Sequence, residues 1–246
     1  MLAGMLHRAG YFMGETFHRP RDSNPRGFFE WSKINRINES ILAPHGKNGW
    51  QGAWIGKLLK KNTVTSPGLN QRWLMLLPME DEIGQAAPGI EKKMRSVLDI
   101  KPFAFKDPRF SYTLPAWKPL LEPDTIFLCV FRDPAVTVES ILKECRSQDY
   151  LASLFVNRRI VMRVWMALYR NIIDRLEPRY GNFHFVHYDQ ILHGTGLRSV
   201  ADVLHASLNA DFADPLLNRT RGRRCVPKAA RDIYDRLCRL ARYNPG

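Results

Sequence analysis

The sequence predicts an α/β domain in which helices cover a mostly parallel sheet, and three observations carry that expectation. Its apolar periodicity switches repeatedly between the two-residue repeat of strands and the 3.6-residue repeat of helices. The run Ile126-Phe127-Leu128-Cys129-Val130-Phe131 is almost continuously apolar and of strand length, the form of a central strand buried on both faces of a parallel sheet. A chain of 246 residues, 45% of them hydrophobic, can bury a real core, which points to one domain spanning residues 1–246.

Taken in order, Ile34, Ile37, Ile41 and Leu42 keep one helical face after Gly27-Phe28-Phe29-Glu30, and Pro44 ends it. Residues 44–67 are rich in Gly, Lys and Trp without a sustained period and read as a surface loop, so that 44–100 forms a loop and helical insertion. Within it, Gln71–Asp81 and Gly89–Leu98 carry helical patterns. Phe103-Ala104-Phe105-Lys106 is strand-like. After the central run, Arg132-Asp133-Pro134 stops the strand, and Pro134 suits the first turn of a helix bearing Val138, Ile141 and Leu142. Val161, Val164, Trp165, Leu168, Ile172 and Leu176 trace one face of a long helix before Pro178, a core stripe rather than a binding one. Phe183–His187 reads as a strand, Leu197–Leu208 as a helix, and Ala229–Ala241 as a closing amphipathic helix.

With 37 Lys and Arg against 24 Asp and Glu, the chain carries a formal charge of +13 and a sequence pI near 9.9. Such a field attracts a phosphorylated nucleotide, nucleic acid, an acidic glycan or a membrane surface, and charge alone does not choose among them. Zinc-finger spacing and an aromatic RNA-binding signature are both absent, which weighs against a specific nucleic-acid function. The four cysteines lie far apart without metal-ligand spacing, so no metal and no disulfide framework is expected, and reduced thiols fit a cytoplasmic location. No apolar run is long enough to span a bilayer.

Ligands in open α/β sheets collect at the carboxyl ends of strands, so Arg132, where the strand ends, is placed to meet an anion. Ser140 follows about two helical turns on, and its hydroxyl can share that anion. The alternative, that Arg132 pairs with an acidic neighbour and Ser140 merely packs, has similar weight on this evidence.

The string Val130-Phe131-Arg132-Asp133-Pro134 with Ser140 resembles the 3′-phosphate-binding motif of sulfotransferases that use 3′-phosphoadenosine 5′-phosphosulfate, PAPS. Further likenesses to bacterial members lie at Gly10–Glu15, at Asn24–Glu30, at Lys106-Asp107-Pro108-Arg109 with Trp117, and at Phe185–Asp189; together they span most of the chain. The resemblance implies a P-loop NTPase-like three-layer fold and transfer of a sulfuryl group from PAPS to a hydroxyl or amine of an acceptor, whether glycan, lipid, peptide or small metabolite. It also implies site residues. Arg132 and Ser140 grip the 3′-phosphate, and Tyr188 with the late basic loop, through Arg221 and Arg223, completes the nucleotide site. Glu30 serves as base, with His187 and His7 as weaker alternatives, while Lys106 and Arg109 either stabilise charge on the leaving group or the sulfuryl oxygens or instead bind the adjacent Asp107. Family members also hold the 5′-phosphosulfate in a Gly/Ser/Thr-rich loop before the first helix. Met1–Arg8 matches the body of that helix, so the loop and the strand before it are expected upstream of Met1. A catalytically inactive relative that keeps the nucleotide, and a basic nucleic-acid binder, are the rival readings.

Overall fold

The computed structural model describes residues 1–15, 26–46, 61–214 and 225–245. Four helices come first: α1 (Leu2–Arg8), α2 (Ser32–Leu42), α3 (Pro88–Arg95) and α4 (Phe110–Trp117). Strand β1 (Phe127–Phe131) leads into α5 (Pro134–Ser147) and α6 (Arg158–Asn171), and α6 runs on through a π-helical turn into α7 (Glu177–Tyr180). Strand β2 (Phe183–His187), α8 (Tyr188–Leu192), α9 (Leu197–Leu204) and α10 (Lys228–Leu240) complete the order.

β1 and β2 are parallel, with Phe127 opposite Phe183 and Phe131 opposite His187. Parallel strands need a long crossover, and α5 through α7 supply it. Each face of the pair is covered by different helices. Cys129, Phe131 and Phe185 pack with Val138 and Leu142 of α5, Trp165 of α6 and Leu237 of α10. On the other face, Leu128 and Val186 meet Leu2, Met5 and Leu6 of α1 and Val200 of α9. Helix, sheet and helix thus form three layers around β1 and β2, a mixed helix-and-strand arrangement.

The sheet is smaller than the sequence suggests. Among the described residues β1 pairs along its length with β2 alone, and Val130 is 41% exposed rather than buried. The apolar run fits helices on both faces, but Val130 itself is not covered. Phe103 forms a single parallel bridge to Phe12, flanked by hydrogen bonds from Phe12 N to Pro102 O and from Ala104 N to Phe12 O, instead of opening a longer strand.

Two further patterns resolve differently. α2 and α3 take the places expected of them, and α2 buries Ile34, Ile37, Ile41 and Leu42. The stretch Gln71–Asp81 is not a helix: only Arg72–Leu74 turns, and the chain then runs extended with Leu74, Met75 and Leu77 buried. Pro78 disfavours helical geometry at Leu77, and Leu76 N donates to Val64 O instead of closing a helical turn. Of the expected loop at 44–67, residues 47–60 lie outside the described residues; Asn62 is bridged to Leu154. No helix among the described residues is long and apolar enough to cross a membrane.

Candidate functional site

The register of the two strands sets the first part of the site. Because Phe131 stands opposite His187, the next residues, Arg132 and Tyr188, leave the sheet side by side at its carboxyl end. The Arg132 guanidinium carbon lies 4.5 Å from the centre of the Tyr188 ring, a cation–π contact that fixes the plane of the charge. Asp133 caps α5, its carboxylate accepting from Val136 N at 2.9 Å, and Pro134 occupies the first turn. This local chemistry turns the chain sharply where Arg132 is presented. Ser140 is exposed on α5, two turns further on. Arg221 and Arg223 lie outside the described residues.

His187 sits beneath this pair and is 1% exposed. Its Nδ1 accepts from Asp189 N at 3.1 Å, which assigns the ring proton to Nε2, 3.1 Å from Tyr234 Oη. The ring stacks on Tyr243 at 3.9 Å, and Tyr243 Oη donates to Asp189 Oδ2. Burial pushes the imidazole pKa below its ordinary value, with Asp189 and Asp133 opposing and Arg132 reinforcing the shift. With Nδ1 occupied by a backbone N–H, His187 is the cap that starts α8 and the anchor that ties α10 to β2. That arrangement leaves little for proton abstraction. His7 is exposed on α1.

A second group gathers around Glu30. Lys106 Nζ donates to Glu30 Oε1 at 2.7 Å and to Phe28 O at 3.1 Å, and Asn35 of α2 donates to Glu30 Oε2 at 3.0 Å. Glu30 is largely buried while Lys106 is 43% exposed, so the pair opens to solvent on the lysine side. The backbone here is held under strain: Phe29 has φ 51°, an outlier for a bulky residue. Packing of its ring against His7 and Phe212, and the bond from Lys106 to the Phe28 carbonyl, hold that conformation. Gly14 has φ 124° and its missing Cβ would run into Trp31, so glycine is needed where the Gly10–Glu15 segment passes the Glu30 loop.

Arg109 belongs to neither group. Its side chain is 5% exposed; Nε donates to Glu39 Oε1 at 2.8 Å and Nη1 to Asp107 Oδ1 at 2.9 Å. Glu39 also takes Asn70 N, Arg72 N and the Arg72 guanidinium, and Asn38 bridges Asp107 to Thr113 and Trp117. Burial works against the Arg109 charge, but Asp107 and Glu39 together hold its pKa above the ordinary arginine value. Burial raises the Asp107 carboxyl while Arg109 and Asn38 pull it back. Of the two roles open to Arg109, the guanidinium takes the one in which it binds the adjacent Asp107, at the centre of a buried network between α2 and α4, and not the one at the ligand edge.

Glu39 and Asn38 escaped the sequence reading because they sit among the apolar residues of α2, where a polar pair looks like the solvent side. Their contacts with Arg109 and Asp107 carried no local signal, because they depend on how α2 packs against α4. Among the described residues no cluster of His, Cys, Asp and Glu is arranged to hold a metal. Compared with protein-family models, with curated proteins and with solved structures, the chain matches none.

Proposed function

We propose that this chain is a PAPS-dependent sulfotransferase of the P-loop type, transferring a sulfuryl group to a hydroxyl or amine of an acceptor. The observation that carries the reading is the pairing of Arg132 with Tyr188 at the carboxyl ends of two parallel strands, where the sequence also resembles the family's 3′-phosphate motif. A guanidinium already oriented by an aromatic face loses less freedom on gripping a phosphate, and Ser140 on the following helix adds a hydroxyl to the same anion.

In the reaction the sulfur–oxygen bond to the nucleotide's 5′-phosphate breaks as a bond forms to the acceptor oxygen or nitrogen. Positioning and charge stabilisation carry most of the rate. Lys106, exposed and close to Glu30, neutralises charge that develops on the leaving phosphate, and Glu30 receives the acceptor's proton at Oε1 once Lys106 turns to that phosphate. Arg109 takes no part in this step; it holds Asp107, the neighbour of Lys106, in place.

A second reading, a protein that binds the nucleotide without transfer, is favoured by the engagement of both Glu30 oxygens, by Lys106 and by Asn35. Incubation with PAPS and a panel of hydroxyl and amine acceptors separates the two. Sulfated product with stoichiometric 3′-phosphoadenosine 5′-phosphate supports transfer; tight binding of that nucleotide without product across the panel overturns it in favour of the second reading.

A further inference from the structure

A cavity of about 430 Å³ lies between α5 and the start of α6, away from the residues assigned above. Its floor is apolar, made by Leu142, Leu151, Leu154 and Val156, and its rim carries Lys61, Arg146 and Arg158 against one carboxylate, Glu139. Glu139 is paired with Arg158, so the two remaining cations face the cavity without a carboxylate among the described residues.

The Arg158 side chain is 25% exposed at this cavity, so its guanidinium can meet a ligand while it stays paired with Glu139. The wall behind Lys61 is built rather than loose. Asn62 N donates to Ser153 O, Phe155 N donates to Asn62 O, and Gln71 ties Asn62, Tyr150 and Ser153 together.

We infer that this cavity binds a small phosphate monoester, with the phosphate on Lys61, Arg146 and Arg158 and the organic group on the apolar floor. A phosphate monoester carries close to two negative charges at neutral pH, matching the two cations that Glu139 does not offset. The site is distinct from the proposed nucleotide grip: Glu139, Leu142, Cys145 and Arg146 centre on a helix face roughly 150° from Ser140, counting 100° per residue. It therefore stands or falls independently of the sulfotransferase reading.

The test is calorimetric titration of the full chain at low ionic strength with phenyl phosphate, inorganic phosphate and phenol. Phenyl phosphate should bind saturably and more tightly than either fragment, because both the charge and the floor contribute. Arg146→Glu, a change at an exposed position, should weaken phenyl phosphate about tenfold or more, and Lys61→Gln should weaken it less. Arg132→Ala should leave this binding in place. Absence of saturable binding, phenyl phosphate no tighter than inorganic phosphate, affinity indifferent to Arg146→Glu, or affinity lost with Arg132→Ala would each overturn the assignment.

Discussion

Replacing Arg109 with alanine separates a structural guanidinium from a catalytic one. The side chain is 5% exposed and joins Glu39 and Asp107, themselves 2% and 0% exposed, so its removal takes the paired cation from buried Asp107 and leaves Glu39 to Arg72. Breaking a buried pair of this kind costs about 3–5 kcal/mol. At roughly 2–4 °C per kcal/mol for a domain of this size, the melting temperature should fall by roughly 6–20 °C. Urea unfolding followed by circular dichroism measures the change directly, as a shift in midpoint at nearly constant slope. The nucleotide affinity of the folded fraction, measured well below the transition, should stay as in the parent chain. A cost below about 1 kcal/mol, accompanied by lost turnover or nucleotide binding, would refute the structural assignment and return Arg109 to the ligand edge.

The other perturbations follow from Glu30, Tyr188 and His187. Glu30→Gln keeps the bond from Asn35 but removes the proton acceptor, so turnover should fall by ~10²–10⁴-fold with nucleotide affinity nearly unchanged; a smaller loss in steady-state rate would remove Glu30 from the role of base. Tyr188→Leu removes the aromatic face under Arg132 and should weaken 3′-phosphoadenosine 5′-phosphate by roughly twofold to thirtyfold, the size of a cation–π contact of about 0.5–2 kcal/mol; unchanged affinity by titration would detach Tyr188 from the site. His187 has a folded-state pKa below its ordinary 6.5, so the unfolded chain takes up a proton first as pH falls. The His187 contribution should be fully present above about pH 6.5 and be lost below it; urea midpoints from pH 7.5 to about 5 should show this as a slope that is reduced in His187→Gln. His184 and the Met1 amine, the latter lowered to about 6, are both held down by burial and account for a residual slope. A slope identical in parent and variant would place the titration elsewhere.

Much of the frame was legible in the sequence because it rests on local chemistry. The apolar run before Arg132-Asp133-Pro134 locates β1 and the start of α5, since a strand-length run, an Asp cap and a proline in the first turn are all short-range signals. The isoleucines of α2 and the stripe of α6 are likewise set by periodicity. Long-range pairing was not legible. That Arg109 meets Glu39, 70 residues earlier, depends on how α2 crosses α4, and no spacing rule reports it. The bonds from Gln71 to Tyr150 and Ser153 and from Leu76 to Val64 similarly override the helical pattern over 71–81. Of the site, the contacts Glu30–Lys106 and Arg132–Tyr188 join residues that the family resemblance had named separately, while the tyrosines enclosing His187 come from the last helix and its end and carry no motif.

The central claim is that Arg132 grips a 3′-phosphate, and nucleotide selectivity tests it most directly. Isothermal titration of the full chain with 3′-phosphoadenosine 5′-phosphate and with 5′-AMP, in the parent and in Arg132→Ala, isolates the one group by which the ligands differ. The parent should strongly prefer the 3′-phosphorylated nucleotide. Arg132→Ala should lose about 1.5–3 kcal/mol, roughly tenfold to a hundredfold, for that ligand and almost nothing for 5′-AMP. Equal affinity for the two nucleotides in the parent, or an equal loss of both in the variant, would contradict the account.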